Sequence, residues 1–246
     1  MTAAPERVKV GWAYRVAAFL LYRPILASTV RDYRGAGHLP ATGGVVIAAN
    51  HLSWFDPLAV ALLCWEAGRP ARFLAKDGVF KVPGLGPFLR SAGQIPVVRG
   101  SADAVKSFHS AVEAARAGEV VVVFPEATIT RDPELWPMQA KTGAVRIAAT
   151  AGVPLLPVAL WGSQWILPYG TYLPRLPARR TLSLRMGPPV DLSGINPTVP
   201  TMDELLATTT RVMDTITTML ADIRGEPRPA GRFNPRTGTR EVTSAD

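Results

Sequence analysis

Val45-Val46-Ile47-Ala48-Ala49-Asn50-His51-Leu52-Ser53-Trp54-Phe55-Asp56-Pro57, continued by Leu58-Ala59-Val60-Ala61-Leu62-Leu63-Cys64-Trp65, is the stretch that decides the fold. Gly43-Gly44 leads into five apolar residues, mostly β-branched, which read as a strand covered on both faces. The apolar run after Asp56-Pro57 has helical length and a stop near Gly68; aspartate suits the N-cap and proline the first helical position. Between them lies a short polar turn holding His51. Strand, turn and helix in this order are the unit from which α/β sheets are built.

The pattern repeats outward. Strands are predicted at 72–75, 95–98, 120–124, 155–160 and 182–186, with a Gly/Pro-broken apolar stretch at 79–89. Helices are predicted at 101–117, with Ser101 as cap and Gly118 as stop, and at 143–151. A last helix over 202–224 has the capping box Thr201-x-x-Glu204 and a closing Gly225. The expected architecture is one α/β domain over 36–225, with a central mixed, partly parallel sheet flanked by helices. Residues 1–35 are expected to form a helical segment in the membrane interface. Residues 226–246, rich in Pro and Arg without apolar periodicity, are expected to be a disordered basic tail. There is no internal repeat.

Composition narrows the partners. Lys and Arg number 27 against 19 Asp and Glu, a net charge of +8, and the sequence pI is near 10.1. Such a balance suits nucleic acid, anionic lipid or a phosphorylated substrate. No nucleic-acid module is recognisable, whereas 48% of residues are hydrophobic and six are tryptophan, so a lipid surface is favoured over nucleic acid. The one cysteine, Cys64, has no partner within the chain, which suits a reducing compartment and a small buried hydrophobe. His38, His51 and His109 lack metal-ligand spacing, and no metal is expected. The apolar runs 16–22 and 24–30 flank Arg23, and each falls short of the roughly 20 residues that span a bilayer. No clear signal cleavage site follows them, so export is not expected. The segment reads as an interfacial helix or as one packed on the domain, the former preferred.

Chemistry concentrates at strand ends. On a continuous helix, residues five apart lie about 140° apart around the axis. His51 and Asp56 therefore meet only if the histidine sits in the turn and the aspartate at the helix start. A carboxylate on one imidazole nitrogen fixes the tautomer and leaves the other nitrogen to accept a proton. The apolar run 120–124 delivers Pro125-Glu126-Ala127-Thr128-Ile129-Thr130-Arg131 in the same way. Glu126 reads as a ligand for a substrate hydroxyl, as a brace for a backbone amide, or as a turn-stabilising carboxylate. Gly93-Gln94-Ile95-Pro96-Val97-Val98-Arg99 ends in an arginine suited to phosphate, or to a surface salt bridge.

These residues carry a resemblance to the 1-acylglycerol-3-phosphate acyltransferase (PlsC-like) family of glycerolipid acyltransferases. Asn50-His51-Leu52-Ser53-Trp54-Phe55-Asp56 looks like its NHxSxxD block, and the segment ending in Arg99 like its substrate-binding arginine block. Phe124-Pro125-Glu126-Ala127-Thr128 resembles FPEGT, and Val153-Pro154-Leu155-Leu156-Pro157-Val158 resembles VPIxPV. The four occur in order between about residue 43 and 160. Two departures stand out: Ala127 replaces glycine, and Ile129 stands where the family carries an arginine, with Arg131 and Lys141 as candidate substitutes.

The resemblance implies direct acyl transfer from acyl-CoA or acyl carrier protein to a hydroxyl of a glycerophospholipid precursor, most readily 1-acylglycerol-3-phosphate, with glycerol 3-phosphate, another lysophospholipid or a glycolipid as alternative acceptors. His51 would be the base and Asp56 its orienting partner. Arg99, Glu126, Thr128, Arg131 and Lys141 would bind substrate. No cofactor is expected beyond the acyl co-substrate, and the enzyme would work at the cytoplasmic face of the cell membrane as a peripheral or monotopic protein. Two other readings use the same features: a thioesterase in which the pair activates water, and a lipid-binding protein without catalysis.

Overall fold

Four valines in a row, with no polar face to offer water, belong in the middle of a sheet. Val120–Val123 (β5) lies there, beside Val45–Ala49 (β2), and eight of these nine residues are completely shielded from solvent. The computed structural model describes residues 16, 29–97, 103–171, 173–175 and 179–242. Around the central pair are Thr29–Arg34 (β1), Ala71–Lys76 (β3), Ile95–Val97 (β4), Leu155–Trp161 (β6) and Arg180–Met186 (β7). The spatial order is β1-β7-β6-β2-β5-β3-β4. Every neighbouring pair is parallel except β6 with β7. The sheet is thus the mixed, partly parallel one that the sequence predicts, with the parallel pairs in the majority.

Alternation along the strands sorts their side chains onto two faces. Val45, Ile47, Ala49, Val120, Val122, Leu156 and Val158 face helix Asp56–Glu66 (α1), meeting Ala59, Val60, Leu63 and Cys64. Val46, Ala48, Val121, Val123, Leu155 and Ala159 face the other way. There they meet Asp103–Arg116 (α4), Gly143–Ala151 (α5) and Met202–Arg224 (α7). Cys64 is fully buried, and burial pushes its thiol up to about 12. Gly44 lets β2 begin flush against α4, since a Cβ there would sit 1.8 Å from the Ala115 carbonyl oxygen. Short helices Asp77–Phe80 (α2) and Leu85–Ser91 (α3) break the 79–89 stretch, and Ser163–Ile166 (α6) follows β6.

Three local expectations change. Asp56 is the first helical residue rather than the cap, which is Phe55. Its carboxylate bonds amides before the helix instead of those inside it, because the turn needs the same acceptor. Residues 29–34 form β1 rather than the end of a helical segment, since edge pairing with β7 satisfies their backbone groups. Apart from Val16, which is helical and exposed, the segment before residue 29 lies outside the described residues, as does the predicted cap Ser101. The tail also departs from expectation over Arg232–Asn234 (β8) and Thr239–Glu241 (β9), which pair as a hairpin. Apolar periodicity does not report this hairpin because ion pairs and backbone bonds dock it. The Thr201–Glu204 capping box opens α7 as its sequence requires.

Candidate active site

Parallel strands bring their carboxyl ends to one edge, and β2 ends there between β5 and β6. On the β5 side the register pairs Ala48 with Val123. Three residues further along each chain stand His51 and Glu126, and the His51 N–H donates to Glu126 Oε1 at 3.0 Å. On the β6 side, Asn50 bonds both backbone groups of Leu160: Nδ2 donates to its oxygen at 3.1 Å and Oδ1 accepts its N–H at 2.8 Å. Side chains thus replace backbone partners where the strands diverge. The His51 carbonyl is held as well, by the Thr130 N–H at 2.8 Å.

With its backbone fixed, the His51 ring is set by three contacts. Nδ1 lies 2.8 Å from Asp56 Oδ2, and the carboxylate oxygen can only accept, so the proton is assigned to Nδ1. The same oxygen accepts the N–H groups of Leu52 at 2.5 Å and Ser53 at 2.8 Å. Asp56 is fully buried, and among the described residues its Oδ1 accepts no hydrogen bond. Phe124 stacks on the imidazole, with ring centroids 4.3 Å apart and planes 21° from parallel. Trp54 meets its edge at 6.4 Å. Ser53 closes the turn by accepting the Phe55 N–H at 3.0 Å and donating to the Leu167 carbonyl at 2.6 Å. The result is an imidazole locked in place, with Nε2 left as the basic atom.

Glu126 braces the turn. Its second oxygen accepts the Met138 N–H at 3.0 Å, so both carboxyl oxygens are occupied by backbone amides, and the residue is buried. Burial pushes the carboxyl up to about 8, outweighing the two amide bonds that favour its ionised form; Asp56 and Asp132 push in the same direction. Of the three sequence alternatives for Glu126, the amide brace describes its contacts.

The remaining candidates divide by place. Thr128 and Arg131 lie on the same loop as Glu126, Thr128 half-buried and Arg131 exposed. Lys141 is exposed, and its N–H donates to the Pro125 carbonyl at 2.9 Å, which ties it to the base of that loop. Ile129, at the position of the family arginine, is buried. Arg99 lies outside the described residues. Sequence reasoning gave no separate role to Asn50, Ser53, Phe124 or Thr130. For Asn50 and Ser53 the available signal was their place beside a histidine at a strand end, a setting where polar groups must find partners.

Residues 30–161, more than half of the chain, match the family model described as Acyltransferase. The chain belongs to the acyltransferase family. Among relatives, a chloroplastic 1-acyl-sn-glycerol-3-phosphate acyltransferase of Brassica napus is 32% identical over 142 residues, covering 57% of this chain and 40% of that protein. The 1-acyl-sn-glycerol-3-phosphate acyltransferase of Bacillus subtilis (strain 168) is 32% identical over 127 residues, 51% of this chain and 59% of that one. The chain therefore spans between two-fifths and three-fifths of the length of these relatives. The crystal structure of the 1-acyl-sn-glycerophosphate acyltransferase PlsC from Thermotoga maritima shares the fold, with a TM-score of 0.66 at 22% identity over 88% of this chain and 81% of that one.

Two outcomes follow for this acyltransferase-family chain. Ala127 sits at φ 59°, in the left-handed region that penalises a Cβ. Ala127→Gly is expected to stabilise the protein by about 0.5–1 kcal/mol, or roughly 2 °C in thermal unfolding. The second outcome comes from Glu126, whose folded pKa of about 8 exceeds the ordinary 4.5. Its stabilising contribution is complete below about pH 4.5 and is lost as pH climbs toward 8. Thermal melts should decline across that window, and the decline should be shallower in Glu126→Gln.

Proposed function

We propose that the protein is an O-acyltransferase that moves a fatty acyl group from acyl-CoA or acyl carrier protein to a lysophospholipid hydroxyl, with 1-acylglycerol-3-phosphate as the leading acceptor. The observation that carries this reading is the His51–Asp56 pair, braced from both flanking strands and backed by membership of the acyltransferase family. The named activity of the two sequence relatives supports the choice of acceptor.

The acceptor hydroxyl gives its proton to His51 Nε2 as its oxygen attacks the thioester carbonyl carbon. The tetrahedral intermediate then collapses, the carbon–sulfur bond breaks, and the thiolate takes the proton back from the imidazolium. Asp56 holds the ring through Nδ1–H and stabilises the positive charge formed midway. Base catalysis of this kind typically contributes about 10²–10⁴-fold. No cofactor enters this scheme. Arg131 and Lys141 are the cations assigned to the acceptor phosphate, with Thr128 beside them and Arg99 as a further arginine. Glu126 acts through the backbone of His51 rather than by touching the acceptor.

A membrane surface, at its cytoplasmic face, is the proposed workplace. No helix among the described residues is long and apolar enough to cross a membrane. The support lies in the connections leaving the carboxyl ends of β2, β3 and β6, the edge that bears His51. They expose Trp54, Leu85, Trp165, Tyr169 and Leu173, the last 82% accessible. Exposed Lys76, Lys81 and Arg175 lie among them. Aromatic and aliphatic tips interleaved with cations suit an anionic lipid interface.

Purified protein incubated with an acyl-CoA and a panel of lysophosphatidic acid, glycerol 3-phosphate, other lysophospholipids and glycolipids should yield phosphatidic acid as the main product by mass spectrometry. His51→Ala should lower that rate by about 10²–10⁴-fold. Full transfer by His51→Ala would sink the assignment, and acceptor-independent release of fatty acid would favour a thioesterase. Separately, the protein should co-sediment with anionic vesicles and less with zwitterionic ones. Introducing negative charge by Trp165→Glu with Leu173→Glu should weaken that binding, whereas equal binding by the double variant would remove this rim from the membrane contact.

A further inference from the structure

The C-terminal hairpin and the end of α7 converge on one segment, residues 132–139, and grip it at three points. Arg240 forms a two-pronged ion pair with Asp132, at 2.8 and 2.9 Å, and donates to Glu134 at 2.5 Å. Phe233 accepts the Gln139 N–H at 3.0 Å and bridges to Met138, while Gln139 Nε2 donates to Glu241 at 2.6 Å. Arg224 stacks between Trp136 and Trp161, 4.0 and 4.5 Å from the ring centres, and donates to the Glu134 carbonyl at 2.8 Å. The hairpin is itself fixed to α7, where Arg232 reaches Asp214 and the Thr210 carbonyl.

The gripped segment leads directly to His51 by two routes. The Asp132 N–H donates to Thr130 Oγ1 at 3.2 Å, that hydroxyl donates to the Trp136 carbonyl at 2.8 Å, and the Thr130 N–H holds the His51 carbonyl. On the second route, the Met138 N–H and the His51 N–H share the Glu126 carboxyl. Both backbone groups of the base residue therefore end on a loop that residues 224–241 hold down.

We propose that the C-terminal hairpin is a clamp on the active-site loop and that Arg240 is a positioning residue for acyl transfer. It touches no substrate, and it sets His51 by fixing Asp132. The rate part of this proposal rests on the acyltransferase reading, while the structural part does not. Asp132 is only 1% exposed. Without the guanidinium its carboxylate must take a proton or leave the interior, since an unpaired buried charge is strongly disfavoured. Either change alters the Thr130 and Trp136 bonds next to it. A shift on the order of 1 Å in a catalytic group lowers turnover by about 100-fold at the extreme.

The test compares full-length Arg240→Ala, Arg240→Lys and a control, Arg236→Ala, on the exposed hairpin turn. Steady-state kinetics and residue-resolved amide exchange are measured for each. Arg240→Ala should lower kcat by about tenfold or more while both KM values stay within about twofold. The Thr130 and His51 amides should exchange at least about tenfold faster, with the β5 amides unchanged. Arg240→Lys should recover part of kcat, because an ammonium neutralises Asp132 without the two-pronged fit. Arg236→Ala should match the wild type. Unchanged exchange at Thr130 and His51 would overturn the clamp. Faster exchange there with kcat intact would overturn Arg240 as a positioning residue, and a loss of activity that accompanies uniform loosening of β5 would overturn both parts. Should the wild type transfer no acyl group, the functional reading falls, yet the exchange measurement still decides whether Arg240 holds the His51 turn.

Discussion

Between β2 and β5 the backbone ladder runs as far as Ala48 and Val123, and beyond that point a carboxyl replaces a carbonyl as the acceptor. A strand that leaves a sheet exposes N–H and C=O groups that the interior cannot leave unpaired. Here Glu126 takes the N–H of His51, Thr130 takes its carbonyl, and Asn50 imitates a strand toward Leu160. The histidine consequently sits in a turn with almost no backbone freedom, although turns are ordinarily the loosest parts of a domain. Orientation of the imidazole by Asp56 has meaning only because this frame exists.

That arrangement separates two kinds of acidic residue in one site. Asp56 gathers three hydrogen-bond partners on one oxygen and orients the ring. Glu126, with a backbone amide on each carboxyl oxygen, is pushed toward the neutral form by burial and acts as a brace. Environment assigns the roles, since the side chains differ by a single methylene.

Sequence exposed the sheet and the His51–Asp56 pair because both depend on local patterns. The runs 45–49 and 120–123 are apolar on both faces, and the turn between strand and helix has the length that lets positions 51 and 56 meet. Long-range polar partnerships leave no such trace. Asn50 with Leu160 and Thr130 with His51 are contacts across the sheet, set by tertiary register. β1 was hidden because its pairing partner, β7, lies about 150 residues away in the chain. The hairpin was hidden because Arg232 and Arg240 dock it by charge, in a composition that otherwise reads as solvated tail. Ala127 was legible as a departure from a glycine pattern, and its left-handed backbone gives that departure a physical content.

Cys64 lies on the buried face of α1 with no solvent contact, its thiol held protonated well past physiological pH. A thiolate is the reactive form, so this sulfur is chemically silent while the domain stays folded. The chain therefore behaves toward maleimides and nitroxide reagents as though it had no cysteine. A single new cysteine on the rim near Trp165, or on the hairpin turn, can carry a spectroscopic label without first replacing the native residue. Any label found on Cys64 reports separation of α1 from the sheet.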